Sequence, residues 1–231
     1  MAEHFEVIGS LAFDPIEIPA LPDKLPVLNV TLEQFGPMTD IVIDNFEGGY
    51  YNPNMLKNFN AKDQALLKSS GETMFGLDRM AGAQLAIYPE WKQFWDVVDN
   101  DRLTNVGKWR YNYKGGLIAP KLKRLAAGIM YKWFSYLAGR HILISSMDEI
   151  ANDQRLIIHF SYACWNGEGW FEKYSKALND AIKKFPGQKD AIFNESIKAR
   201  TMAVTKLWLP NRAIRQQGQH MMELFRKLGL V

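Results

Sequence analysis

Apolar positions recur at helical spacing over most of the chain beyond Met80. The spacing predicts helices over 78–87, 89–98, 119–138, 148–165, 168–185, 188–207 and 211–228. The stretch "LIIHFSYACW", 156–165, is apolar on nearly every side, and a helix of that kind belongs at the centre of a domain. "NGEG" after it supplies a stop. Upstream, "PMTDIVIDNFEGG" predicts a short helix with Thr39 as N-cap, Met38, Ile41 and Phe46 facing inward, and Gly48 at its end. Residues 48–78, rich in Gly, Asn and Ser, predict irregular structure with a short helix at 61–68 and a small hairpin around Gly71–Gly76. Pro15, Pro19, Pro22 and Pro26 lie close together near the N-terminus, a density that blocks helix and central strand. The fold class is therefore mainly α: an extended Pro-rich arm over 1–37 and one helical domain over 38–231 with a small irregular or β-hairpin segment.

Composition narrows the function. Of 231 residues 47% are hydrophobic, enough to bury a sizeable core. Cys164 is the single cysteine, so no intramolecular disulfide forms, and its apolar surroundings make it a small buried hydrophobe. Residues 1–100 carry 6 Lys/Arg against 15 Asp/Glu, and residues 101–231 carry 22 against 10. A basic part suits an anionic polymer, nucleic acid or bacterial cell wall, unless the two oppositely charged parts simply attract each other. Neither a basic-then-apolar leader nor an apolar run of bilayer length is visible, so no membrane insertion is expected and delivery would rest on another component.

His4, His141, His159 and His220 are scattered, with no HExxH and no CxxC, so no metal and no cofactor are expected; His159 reads as a hydrogen-bonded core residue. No Walker A, GxGxxG or GxSxG pattern occurs. Two features remain. In "KWRYNYKGG", 108–116, Trp109, Tyr111 and Tyr113 alternate with Arg110 and Lys114, the pattern of aromatic platforms with basic flanks or of a plain exposed strand. In "NFEGGYY", 45–51, Glu47 ends a helix beside apolar Phe46. The negative end of the helix dipole and poor solvation both raise a carboxyl's pKa there, as glycoside hydrolysis requires of its general acid. The alternative is a solvated helix-end charge.

The run "FEGGYYNPN" followed by "SGETMFGL" resembles glycoside hydrolase family 108, bacterial and phage muramidases with a lysozyme-like fold. Glu47, Gly48, Gly49 and Tyr50 match the family's first motif, Asn52 and Pro53 its Asn/Asp-Pro stretch, and Gly71, Thr73 and Gly76 its third motif. "IMYKWF" is similar to its Ile-Tyr-x-x-Tyr-Trp helix, and "ANDQRLIIHFSYACWNGEG" to its buried helix, with Asn166 as counterpart of the closing asparagine. The chain departs from the family where Asn54 stands at a usual aspartate, where "MLKNFNAKDQAL" is inserted, and where Tyr162 lies near a common aspartate.

The resemblance implies a lysozyme-like hydrolase cutting the β-1,4 bond between N-acetylmuramic acid and N-acetylglucosamine in peptidoglycan. Glu47 would be the general acid, and Thr73, Glu72 or Asp63 would manage the attacking water or the sugar cation. Gly48, Tyr50, Tyr162, Asn166 and Trp109 would bind the glycan strand. Such an enzyme waits in the host cytoplasm for holin-mediated release or rides on the virion. The arm would then bind a virion component or a second copy of the chain. The runner-up is a virion assembly protein with a lysozyme-like body and reduced activity. A nucleic-acid partner has no binding motif to support it.

Overall fold

The computed structural model describes residues 29–58, 64, 71–80, 84–206 and 212–231. It is mainly helical, with eight α-helices and one two-stranded antiparallel hairpin among the described residues. The helices are α1 Leu32–Asn45, α2 Pro89–Thr104, α3 Ala119–His141, α4 Ile144–Ala151, α5 Gln154–Trp165, α6 Glu168–Lys184, α7 Lys189–Lys206 and α8 Arg212–Lys227. The hairpin pairs β1 Thr73–Met74 with β2 Leu77–Asp78. Most of the predicted arm and of the 61–68 helix falls outside the described residues.

Three local predictions are corrected. The first helix starts at Leu32, not after a Thr39 cap, so the arm cannot reach residue 37 in extended form. "TLEQ" explains the earlier start: Gln34 N–H donates to Thr31 Oγ1 (3.3 Å) while Thr31 N–H donates to Gln34 Oε1 (2.8 Å). This reciprocal capping box satisfies two donors at once and nucleates a helix that carries Pro37 inside it. Val30 and Phe35, in hydrophobic-staple positions on either side of the cap, are both buried. Thr39, expected as the N-cap, is buried two turns into the helix.

Of the predicted 78–87 helix, residues 78–80 and 84–87 form the end of the hairpin and turns, and the α-helix that follows starts at Pro89. Asp78 diverts the chain: its carboxylate accepts from Gly71 N–H (3.0 Å) and Met80 N–H (2.8 Å), holding a turn where a helix would begin. The single helix over 148–165 is two helices, because Asp153 caps α5 by accepting from Arg155 N–H (2.9 Å).

The chain divides into two compact units, residues 39–132 and residues 29–38 with 133–231 among those described, where the sequence suggests one domain. In the first, Val42, Ile43, Phe75, Phe94, Leu122 and Ile129 are fully buried. Phe94 meets Phe75 and Trp95 edge-on at 6.5 and 5.4 Å. In the second, α5 is the central helix, with every residue from Leu156 to Cys164 buried and α4, α6 and α7 packed around it. Phe171 on α6 lies edge-on to Phe160 at 5.3 Å and to Phe134 at 6.0 Å.

Candidate active site

Glu47 sits just past the last turn of α1, where Phe46 and Glu47 N–H both reach Val42 O, at 2.8 and 3.3 Å. Lys114 closes the helix end by donating from Nζ to the carbonyls of Glu47 and Ile43, as a cation at a C-terminus should. Glu47 itself is half-buried. Burial pushes its carboxyl up from the ordinary 4.5 to about 8, and the Lys114 charge pulls only weakly the other way. Burial likewise holds the Lys114 ammonium below its ordinary range, against the pull of Asp44 and Glu47. Among the described residues nothing hydrogen-bonds the Glu47 carboxyl. Such a shift favours the protonated form of the carboxyl at neutral pH, and no acceptor for that proton lies among the described residues.

The two glycines after Glu47 do different things. At Gly49 a Cβ would lie 2.5 Å from the Asn112 carbonyl and 2.6 Å from Tyr113 O, so only glycine lets the backbone of the 109–116 loop approach. The contact is a short backbone pairing: Tyr50 N–H donates to Tyr113 O and Asn112 N–H to Tyr50 O, both at 2.9 Å. Asn112 Oδ1 also accepts from Gly49 N–H at 2.7 Å. Gly48, by contrast, has nothing within 4 Å of where its Cβ would be, which leaves open space beside the acid.

The basic-aromatic loop is a turn, with Asn112 at φ 61°, and not the exposed strand its alternation permits. Trp109 is buried at 6% exposure, its Nε1–H donates to Asp101 (2.9 Å), and it stands edge-on to Tyr50 at 4.8 Å and Tyr113 at 5.0 Å. Tyr50 is 2% exposed. Both predicted glycan platforms are thus inward-facing wall. Packing against each other satisfies their apolar faces, which leaves Tyr111, 48% exposed, as the accessible ring of the loop.

The hairpin carries the other candidates. Tyr51 and Thr73 exchange backbone hydrogen bonds of 2.9 Å, tying β1 to the segment that holds Glu47. Glu72, next to Thr73, is not a free carboxylate. It accepts from Arg102 (2.5 Å) and Tyr50 Oη–H (2.7 Å) through Oε1, and from Arg79 (2.9 Å) through Oε2. Asp99 engages the same two arginines at 2.6–3.1 Å. Glu72 is 12% exposed and has both oxygens occupied, so its charge fixes the hairpin and cannot readily activate a water. Thr73 is buried to 5%, and no group among the described residues bonds its hydroxyl.

Glu47, Gly48, Tyr50, Glu72, Thr73 and Trp109 therefore belong to one connected unit. Asp63 lies outside the described residues. Tyr162 and Asn166 belong to the other unit, where both meet Arg200. No group of His, Cys, Asp and Glu suited to a metal occurs among the described residues. His159 is a core residue, its Nδ1 accepting from Arg200 Nε (3.2 Å). Sequence reasoning missed Lys114 as a helix cap and Arg79, Asp99 and Arg102 as the frame around Glu72. The Asp99–Arg102 spacing, i and i+3 on α2, was the one local signal for that frame. Comparison of the chain with models of known families, with curated proteins and with solved structures finds no match.

Proposed function

We propose that the chain is a muramidase that hydrolyses the β-1,4 bond between N-acetylmuramic acid and N-acetylglucosamine, with Glu47 as general acid. One observation carries the reading: a carboxyl pushed up to about 8, bonded to no group among the described residues, beside the open space at Gly48. A proton donor for a glycosidic oxygen needs to be protonated at working pH and reachable, and Glu47 meets both conditions. The motif resemblance to glycoside hydrolase family 108 and its lysozyme-like fold supports the same reading. In the bond-breaking step the Glu47 proton passes to the leaving oxygen as the C1–O bond breaks. A water, for which the Thr73 hydroxyl is a candidate hydrogen-bond partner, bonds to the sugar carbon and releases its surplus proton to solvent, and the Glu47 carboxylate regains a proton from solvent for the next cycle. Glu72 is engaged by Tyr50, Arg79 and Arg102, and Asn54 stands at the family's usual aspartate, so no second carboxylate is assigned and direct displacement by water, an inverting course, is the reading adopted.

That same shortage favours a second reading, an assembly protein of a virion with a lysozyme-like body. The deciding experiment incubates the protein with purified peptidoglycan and analyses the soluble fragments by mass spectrometry. Fragments with reducing muramic acid ends are expected; anhydro ends would mean a lytic transglycosylase, and no fragments the assembly reading. Glu47→Gln should lower the rate by ~10²–10⁴-fold while keeping the fold, since an amide of the same size has no proton to give. A variant as active as wild type removes Glu47 from the mechanism.

A further inference from the structure

The connection from α2 to α3, with the helix ends that flank it, holds apolar side chains in water. Four large apolar residues stand out by exposure among the described residues: Met80 at 81%, Leu103 at 76%, Val106 at 72% and Leu117 at 99%. The last three share the stretch 103–117. A single exposed leucine is ordinary, but three such residues on one short connection, one of them touching almost nothing, are not explained by folding. The backbone is built to hold them out. Gly115 and Gly116 have positive φ, at 88° and 51°, and a Cβ at Gly116 would lie 2.8 Å from Tyr113 Oη, so the two glycines permit the sharp turn before Leu117. Trp109 Nε1–H donates to Asp101 (2.9 Å), Arg110 N–H to Lys108 O (2.9 Å) and Tyr113 N–H to Arg110 O (3.0 Å), which pins the connection to the end of α2.

The same stretch is basic without relief. Residues 102–132 hold eight Lys/Arg and no Asp/Glu. Four of the eight have partners inside the fold: Arg102 with Glu72 and Asp99, Lys114 with the carbonyls of Ile43 and Glu47, Lys123 with Asp44 and Lys132 with Glu90. Lys108, Arg110, Lys121 and Arg124 are exposed, and none forms an ion pair among the described residues. The charges that this stretch leaves to solvent are all positive.

We propose that this connection is a docking surface for an anionic phospholipid bilayer, on which the protein lies without crossing. Leu103, Val106 and Leu117 enter the interfacial layer, and Lys108, Arg110, Lys121 and Arg124 meet the phosphate headgroups. A lipid interface uses both features at once, since binding grows with the apolar area buried and with attraction to anionic lipid. A hydrated polyanion, whether nucleic acid or wall polymer, would engage the four cations and leave the three aliphatic side chains in water, so the bilayer is the occupant that fits. Nothing in this docking depends on chemistry at Glu47.

Co-sedimentation of the full chain with vesicles tests it. Vesicles of equal parts phosphatidylglycerol and phosphatidylcholine should bind about tenfold or more tightly than pure phosphatidylcholine, and rising salt should weaken that binding. Val106→Ser with Leu117→Ser should weaken binding to the mixed vesicles about tenfold or more, while elution from immobilised heparin, a lipid-free polyanion, stays at the wild-type salt concentration. Lys121→Gln with Arg124→Gln should weaken both. All four side chains are exposed, so both variants should melt with wild type. Cys164 is buried, so in Leu117→Cys an environment-sensitive thiol dye reports from position 117 alone. Its emission should shift to the blue on adding mixed vesicles and stay unmoved with heparin. The proposal is overturned if the protein does not bind mixed vesicles. It is equally overturned if Val106→Ser with Leu117→Ser binds them like wild type, which would assign the surface to a polyanion. A dye at position 117 that stays in water when vesicles are bound overturns it even if the double serine variant fails to fold.

Discussion

At the scale of single residues, Glu47 ties activity and stability to the same proton. On the proposed muramidase reading its carboxyl must be protonated to act, so kcat/KM should fall as pH rises through about 8, and the measured limb reports the free protein. Lys114→Met removes the charge that lowers the Glu47 pKa, so this limb should move to higher pH. Stability moves with the same group. Between the ordinary 4.5 and about 8 the folded chain holds a proton that the unfolded chain releases, so the group's contribution falls as pH rises across that window. Glu47→Gln has no such proton. Its melting temperature should equal that of wild type at low pH, exceed it progressively from about pH 4.5, and stay above it beyond about pH 8. Equal pH profiles of melting for the two proteins would show that the carboxyl is solvated. The neighbouring candidates separate in a complementary way. Thr73→Ala should lower the rate with little change in melting, whereas Glu72→Gln leaves Arg79 and Arg102 short of a counter-ion and should lower the melting temperature first. If Glu72→Gln melts like wild type but loses all activity, Glu72 is a catalytic carboxylate after all.

At the scale of elements, α1 matters because it delivers Glu47 at one end and is nucleated by the capping box at the other. Thr31→Ala removes one bond of that box and should cost about 0.5–2 kcal/mol. For a chain of this size ~1 kcal/mol corresponds to a shift of ~2–4 °C, which calorimetry resolves. Because Thr31 and Gln34 bond each other reciprocally, Thr31→Ala with Gln34→Ala should cost less than the two single losses added together. Additive losses would mean that the two bonds form independently. The hairpin offers a different kind of element. Its turn residues, Phe75 and Gly76, both have positive φ, at 54° and 72°. A phenylalanine in that conformation is unfavourable by itself, and the complete burial of Phe75 against Phe94 compensates.

At the scale of the whole molecule, charge is distributed unevenly along the chain, with 22 Lys/Arg against 10 Asp/Glu beyond residue 100. Cell walls that carry anionic polymers should therefore bind the protein through long-range attraction, which salt screens over a Debye length of ≈ 10 Å at 0.1 M. Sedimentation with whole walls should show binding that weakens steadily as salt is raised, while cleavage of a short neutral glycan fragment should depend on salt far less. Salt-independent wall binding would show that long-range charge does not drive recognition. Among the described residues no helix is long and apolar enough to cross a membrane.

The sequence by itself determined the helical class, the central apolar helix α5 and the hairpin near Gly71–Gly76, and it singled out Glu47 as a candidate, because each rests on neighbours a few residues apart. Periodicity, turn chemistry and a helix end are local, and local physics is written in order along the chain. Even some local signals were legible and went unread: "TLEQ" behind a proline-rich stretch, and Asp153 as a cap inside an apparently continuous helix. Tertiary structure alone decided the rest. Tyr50 and Trp109 are buried because each is the other's neighbour across 59 residues, and alternation along a strand-like run carries no information about which face is covered. Glu72 meets its partner Arg102 thirty residues away, and Asn166 meets Arg200 thirty-four residues away. The proton on Glu47 belongs to the same category. A carboxyl's pKa is set by how much water the surrounding fold removes, and that quantity exists only once distant segments have closed around it.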